Sequence, residues 1–102
     1  LLGCIPVLFM TPRQTRDYMP FHFRSWGANA SVVFPPRRVM LGEVDLLREL
    51  DAISHTEVDR MRATIAREAH RLVYGLVPFR NDAVETLLQG VHRRALAFAS
   101  QA

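Results

Sequence analysis

The residues best suited to chemistry follow an apolar run near the start of the chain. Arg13 and Arg16 lie in the polar stretch Thr11 to Tyr18, and Tyr18 and His22 come just after them. A guanidinium stays charged at any working pH and can grip two phosphate or carboxylate oxygens together. Two such groups close together suit a diphosphate or an acidic sugar, and Tyr18 and His22 are candidates to touch the same ligand. Met19, Pro20, Phe21 and Trp26 could line the wall of a cleft. Pro6, which cannot donate a ladder hydrogen bond, could mark where sheet pairing breaks beside it. Each residue also has a plainer reading: loop arginines in water, aromatics in a core, a proline in an edge strand.

Other chemistries find little support. His55, His70 and His92 fall on helical segments with no metal-ligand spacing, and no Ser-His-Asp or Cys-His arrangement can be argued. Cys4 is the one cysteine, so it makes no internal disulfide; its apolar setting predicts a buried thiol. No glycine-rich phosphate loop is present. Asn29-Ala30-Ser31 is an acceptor triplet for N-glycosylation, making Asn29 the candidate residue. All thirteen basic residues are arginine, and the net charge is +3. They are scattered among ten acidic residues, which fits a solvated surface and argues against a nucleic-acid patch.

These groups must be held by an α/β arrangement. Cys4 to Met10 reads as a strand, and the continuous run Val7-Leu8-Phe9 predicts burial on both faces of a parallel sheet. Thr11 to Pro20, with two prolines, reads as a loop. Ser31 to Phe34 reads as a second short strand, stopped by Pro35 and Pro36. Three helices follow. Residues 43–53 place Val44, Leu47, Leu50 and Ile53 on one face. Residues 55–74 start at a capping box of Ser54 and Glu57, carry Val58, Met61, Ile65, Ala69 and Leu72, and stop at Gly75. Residues 82–99, capped by Asn81 or Asp82, carry the stripe Val84, Leu87, Leu88, Val91, Ala95 and Phe98. In open α/β sheets ligands sit outside the carboxyl ends of the strands, so the segment after Met10 should border the cleft.

A hydrophobic fraction of 49% with 23% charged residues reads as globular. Leu1 to Met10 is too short to cross a bilayer and lacks a preceding basic region. Two short strands cannot sustain a parallel sheet alone. The chain is therefore expected to be one piece, residues 1–102, of a longer protein, with any anchoring segment upstream.

Several stretches, in order, resemble one family. Gly3-Cys4-Ile5-Pro6-Val7 resembles the Gly-Cys-Ile-Pro-Val strand of the exostosin glycosyltransferases (glycosyltransferase family 47). Met19-Pro20-Phe21 is similar to the family's Leu-Pro-Phe turn. Trp26 with Ala30 to Phe34 is similar to its aromatic residue and short valine-rich strand. Leu46 to Met61 matches its short helix, Ser-capped start and Met-bearing second helix, and Asn81-Asp82-Ala83-Val84 resembles the opening of its final helix. The resemblance implies the C-terminal portion of a Rossmann-like domain in a GT-B type enzyme, here with two short strands and three helices. It implies inverting transfer of a sugar from a nucleotide-sugar donor to a growing glycan or polysaccharide, on the lumenal side of the Golgi membrane. It leans towards metal independence, and no cofactor is expected. No catalytic residue carries over, because the family's donor-contacting motifs lie largely before Gly3, and the piece alone should be inactive. Where family members often carry small or acidic residues, this chain has Pro12, Arg13 and Arg16, so the donor sugar and the acceptor stay open. The alternative is a non-catalytic exostosin-like module with a binding or assembly role.

Overall fold

The computed structural model describes residues 3–17, 19–73 and 82–101. Strands β1 (Val7–Phe9) and β2 (Val32–Phe34) pair in parallel, with Val7 opposite Val32 and Phe9 opposite Phe34. Pro6 precedes β1, and its carbonyl accepts from the Val32 amide at 3.0 Å, so the proline extends the ladder without donating to it. The strand is shorter than the expected Cys4 to Met10 and is not buried on both faces. Val7 is 36% and Phe9 48% exposed, while Leu8 turns inward. Cys4 is likewise exposed rather than buried.

The segment expected as a loop forms helix α1 (Pro12–Asp17). Its start is a reciprocal cap. The Gln14 amide donates to Thr11 Oγ1 at 3.2 Å, and the Thr11 amide donates to Gln14 Oε1 at 2.9 Å. Pro12 takes the first helical position, where its missing N–H has no partner to lose. Pro36 does the same for the unforeseen helix α2 (Pro36–Met40). Gly42 follows that helix at φ +71°, a conformation costly for residues with a Cβ.

Helix α3 (Leu46–Asp51) is shorter than the expected 43–53, because Asp45 caps it by accepting from the Arg48 amide. Leu47, assigned to its inner face, is 77% exposed. Helix α4 (His55–Glu68) starts where its capping residue predicts, with Ser54 Oγ accepting from the Glu57 amide at 3.1 Å. The Glu57 carboxylate does not return the cap; it pairs with Arg60, which holds its carboxyl below the usual range. A 3-10 turn, Ala69–Leu72, follows, and Val73 is already extended. The expected helix over 55–74 thus closes early, and Gly75 lies outside the described residues. Helix α5 (Ala83–Ala99) is capped by Asp82, which accepts from the Glu85 amide at 2.9 Å; Asn81, the other candidate, is outside the described residues.

The core forms where the segment 19–30 folds onto α4. Phe23, Trp26, Ala30 and Ile65 are buried together, with Ile5, Leu8, Ala69 and Leu72 around them. Phe23 and Trp26 meet edge to face at 4.9 Å between ring centroids, a favoured aromatic geometry. The Trp26 indole donates to the His22 carbonyl at 2.7 Å. Gly27 lies so close to Phe23 that a Cβ would stand 2.3 Å from the ring.

Helix α5 packs through Ala83, Thr86 and Gly90, not through its apolar stripe. Val84, Leu87, Leu88, Val91, Ala95 and Phe98 face outward, contrary to expectation. The reason is a close approach. The Phe21 ring rests on Gly90, where a Cβ would fall 2.3 Å from it, and the small face admits that contact while the large residues would not.

Two substitutions probe this packing. Ile65→Ala, at a site 2% exposed, should lower unfolding free energy by about 2–4 kcal/mol in urea titration. Gly90→Ala should destabilise by about 1–2 kcal/mol despite alanine's higher helix propensity. Adding Phe21→Ala should recover part of that loss, since the ring is what the new methyl meets.

Candidate functional site

The structure separates the residues that the sequence grouped. Arg13 and Arg16 lie on α1, past the carboxyl end of β1, as the strand direction requires. Both are exposed and both lean towards Asp17: Arg13 Nε is 3.9 Å and Arg16 Nε 3.3 Å from its carboxylate. Tyr18 lies outside the described residues. His22 is half-buried, and its Nε2–H donates to the Ala83 carbonyl at 2.8 Å, so the ring ties the 19–30 segment to α5. A carbonyl can only accept, which fixes the proton on Nε2. Of the proposed wall, Pro6 lies by the sheet and Met19 is 37% exposed, at a turn where its φ is +44°. Asn29 is exposed at the end of a 3-10 turn, Gly27–Asn29. His55 and His92 are exposed and His70 is half-buried.

Pro20, Phe21 and Trp26 do come together, in a cleft between the 20–26 segment, the 3-10 turn after α4 and the middle of α5. Its volume is about 880 Å³. Trp26 contributes an edge only, being 5% exposed and part of the core. The polar lining was not foreseen: Arg24, Arg71, Arg93 and Arg94, with Glu68 the one carboxylate. In sequence these arginines looked dispersed. The adjacent pair on the last helix, and an arginine between the last two members of the apolar stripe over 55–74, were the available signals.

The four cations are held differently. The Arg71 Nε–H donates to Glu68 Oε2 at 2.7 Å, and Arg67 approaches the other oxygen at 3.5 Å. The Arg71 hydrogen bond, foremost, holds the Glu68 carboxyl below the usual carboxylate range. The Arg94 guanidinium stands 5.6 Å from the Phe21 ring centre, a cation–π distance. Arg93 reaches the Gln89 carbonyl at 3.4 Å. Among the described residues, Arg24, Arg93 and Arg94 pair with no carboxylate. With Glu68 set against the four arginines, the lining carries a net charge of +3. Four guanidinia around one carboxylate make the lining suited to negatively charged groups. No group of three metal-binding side chains occurs among the described residues.

The chain matches no protein-family model, no curated protein and no solved structure.

The Glu68–Arg71 pair has a defined pH signature. A carboxyl whose folded pKa is lowered stabilises the fold above its unfolded value of about 4.3, and that stability is lost as pH falls through the folded value. Arg71→Gln should therefore lower stability at pH 7 by about 0.5–1 kcal/mol. The gap between variant and wild type should close below about pH 4, as measured by thermal melts across pH.

Proposed function

We propose that the chain is the closing part of the donor-binding domain of an exostosin-type glycosyltransferase, and that its parent extends a glycan from a nucleotide-sugar. The observation that carries this reading is the sheet. The strand that begins at Val7, the last residue of Gly3-Cys4-Ile5-Pro6-Val7, pairs in parallel and in register with the valine-rich strand that follows Trp26. A parallel pair of three-residue strands is too small to stand alone, so these two strands suit the end of a larger parallel sheet. The exposed sides of Val7, Phe9 and Val33 are consistent with further cover. Helix α1 leaves the carboxyl end of β1, where an α/β sheet receives its ligand, and it presents Arg13 and Arg16 there.

A second reading, a non-catalytic module of the same family, draws on Asp17. That carboxylate lies within 4 Å of both α1 guanidinia, leaving the helix a net charge of +1 with which to hold a diphosphate.

The parent protein decides between them. Incubated with labelled common nucleotide-sugars and glycan acceptors, it should transfer sugar. Arg16→Ala should raise the donor KM roughly ten- to hundredfold, the worth of a charge-assisted contact, with a smaller effect for Arg13→Ala. Absence of transfer with every donor, while the parent still binds glycan, would establish the module. Unchanged kinetics in both variants would return α1 to the solvated surface.

A further inference from the structure

Unbalanced positive charge is concentrated in the cleft. Elsewhere among the described residues arginines meet carboxylates or stand apart. Arg13 and Arg16 share Asp17, Arg38 meets Glu43, and Arg60 meets Glu57. Arg37, Arg48 and Arg62, which join no ion pair there, are spread over α2, α3 and α4. Arg24, Arg93 and Arg94 join none either, yet they line one cleft together with Arg71. Arg24 comes from the 20–26 segment and Arg71 from the 3-10 turn after α4. Arg93 and Arg94 come from α5, one turn beyond Gly90 on the side by which that helix packs.

Charge and shape narrow what the cleft can take. The Phe21 ring holds Arg94 by cation–π attraction, which uses none of its N–H donors. Glu68 fixes Arg71. The space of about 880 Å³ falls within the usual range of small-molecule sites, about 300–1,000 Å³, and exceeds what one phosphate fills. Two phosphate monoesters carry about −3 to −4 together at neutral pH, enough to offset the lining's net charge of +3. Singly charged carboxylates or sulfate esters reach that balance only in threes. A nucleobase finds no open ring face: Trp26 offers an edge, and Phe21 rests on Gly90 and carries Arg94. A nucleic-acid strand would need a track of free cations leading out of the cleft, whereas Arg37, Arg48 and Arg62 lie on separate helices.

We propose that this cleft binds a polyol or sugar carrying two phosphate monoesters and no nucleobase. Arg93 and Arg94 grip one phosphate from α5, and Arg24 and Arg71 the other from the elements that face it, by charge-assisted hydrogen bonds from their guanidinium forks. A soluble bisphosphate and the headgroup of a phosphorylated inositol lipid present the same chemistry. The inference does not depend on the glycosyltransferase reading, since none of these residues lies on α1.

Isothermal titration calorimetry with the full chain tests it, at about 0.15 M salt to screen diffuse attraction. Fructose bisphosphate or inositol bisphosphate should bind saturably, one per chain, and the corresponding monophosphate at least about tenfold more weakly. Arg24→Gln and Arg93→Gln should each weaken bisphosphate binding by about tenfold. Arg37→Gln, at an unpaired arginine outside the cleft, should leave it within about twofold. All three sites are exposed, and circular dichroism checks that the variants remain folded; Arg94→Gln serves if a cleft variant does not. Phosphatidylinositol bisphosphate in phosphatidylcholine vesicles separates the two sources. Binding to vesicles about tenfold tighter than to the soluble headgroup, and lost in Arg93→Gln, would assign the phosphates to a lipid; equal affinity would assign a soluble ligand. Both results support the site. No saturable binding of either bisphosphate overturns the proposal, as do equal affinities for mono- and bisphosphate, or a loss in Arg37→Gln as large as in the cleft variants. An adenosine bisphosphate that binds about tenfold tighter than the sugar bisphosphate also overturns it, since the cleft would then be reading a base.

Discussion

The buried cluster of Phe23, Trp26, Ala30 and Ile65 organises this chain. Trp26 arrives on a segment built of successive turns, and Ile65 on the regular helix α4. Their burial, with Phe23 and Ala30, decides where the segment 19–30 must lie. The position of β2 follows, since Ala30 and Ser31 lead directly into it, and the Ser31 hydroxyl donates back to the Gly27 carbonyl at 2.6 Å. The parallel pairing of β1 follows in turn. On the other side the same segment sets down Phe21 and His22, which receive α5. One apolar cluster thus aligns the sheet, the cleft and the last helix.

Electrostatics enters as a consequence of that packing. Arg24 is drawn to the cleft because its neighbours Phe23 and Trp26 are buried. Arg71 is there because α4 tightens into a 3-10 turn beyond Glu68. Arg93 and Arg94 are there because Gly90, one turn earlier, lets α5 come close to Phe21. The fold holds these cations near one another with a single carboxylate in their midst, and such an arrangement is stable only where water or an anion can reach it.

Much of this was legible in the chain. The helix starts at Ser54 and Asp82 were readable because a capping side chain acts on an amide three residues away, a purely local rule. The two strands and the stripe of α4 were readable from composition and spacing. Three features were not. The prolines at 12 and 36 read as breakers, although each begins a helix; Thr11 and Gln14 carried the cap that would have shown it. The apolar stripe of α5 pointed to the core, but periodicity gives only which residues share a face. Whether that face turns inward was decided by Gly90, whose lack of a side chain counts for nothing in a hydrophobic pattern. The arginine cluster could not be seen at all, because its members come from three elements brought together by tertiary packing.

The hydrogen bond from His22 to the Ala83 carbonyl has a further consequence, for the order in which parts of the molecule come and go. It spans 61 residues of chain, whereas the capping bonds and helix ladders close within a few. Long loops are closed late in folding and their contacts are among the first released. Among the described residues, helix α5 is held by that bond, by the Ala83 amide donating to the Val73 carbonyl at 2.9 Å, and by a face of small residues against Phe21. It should therefore detach as a unit while Trp26 and Ile65 stay buried, so its amides exchange through this partial opening and those of α4 only through global unfolding.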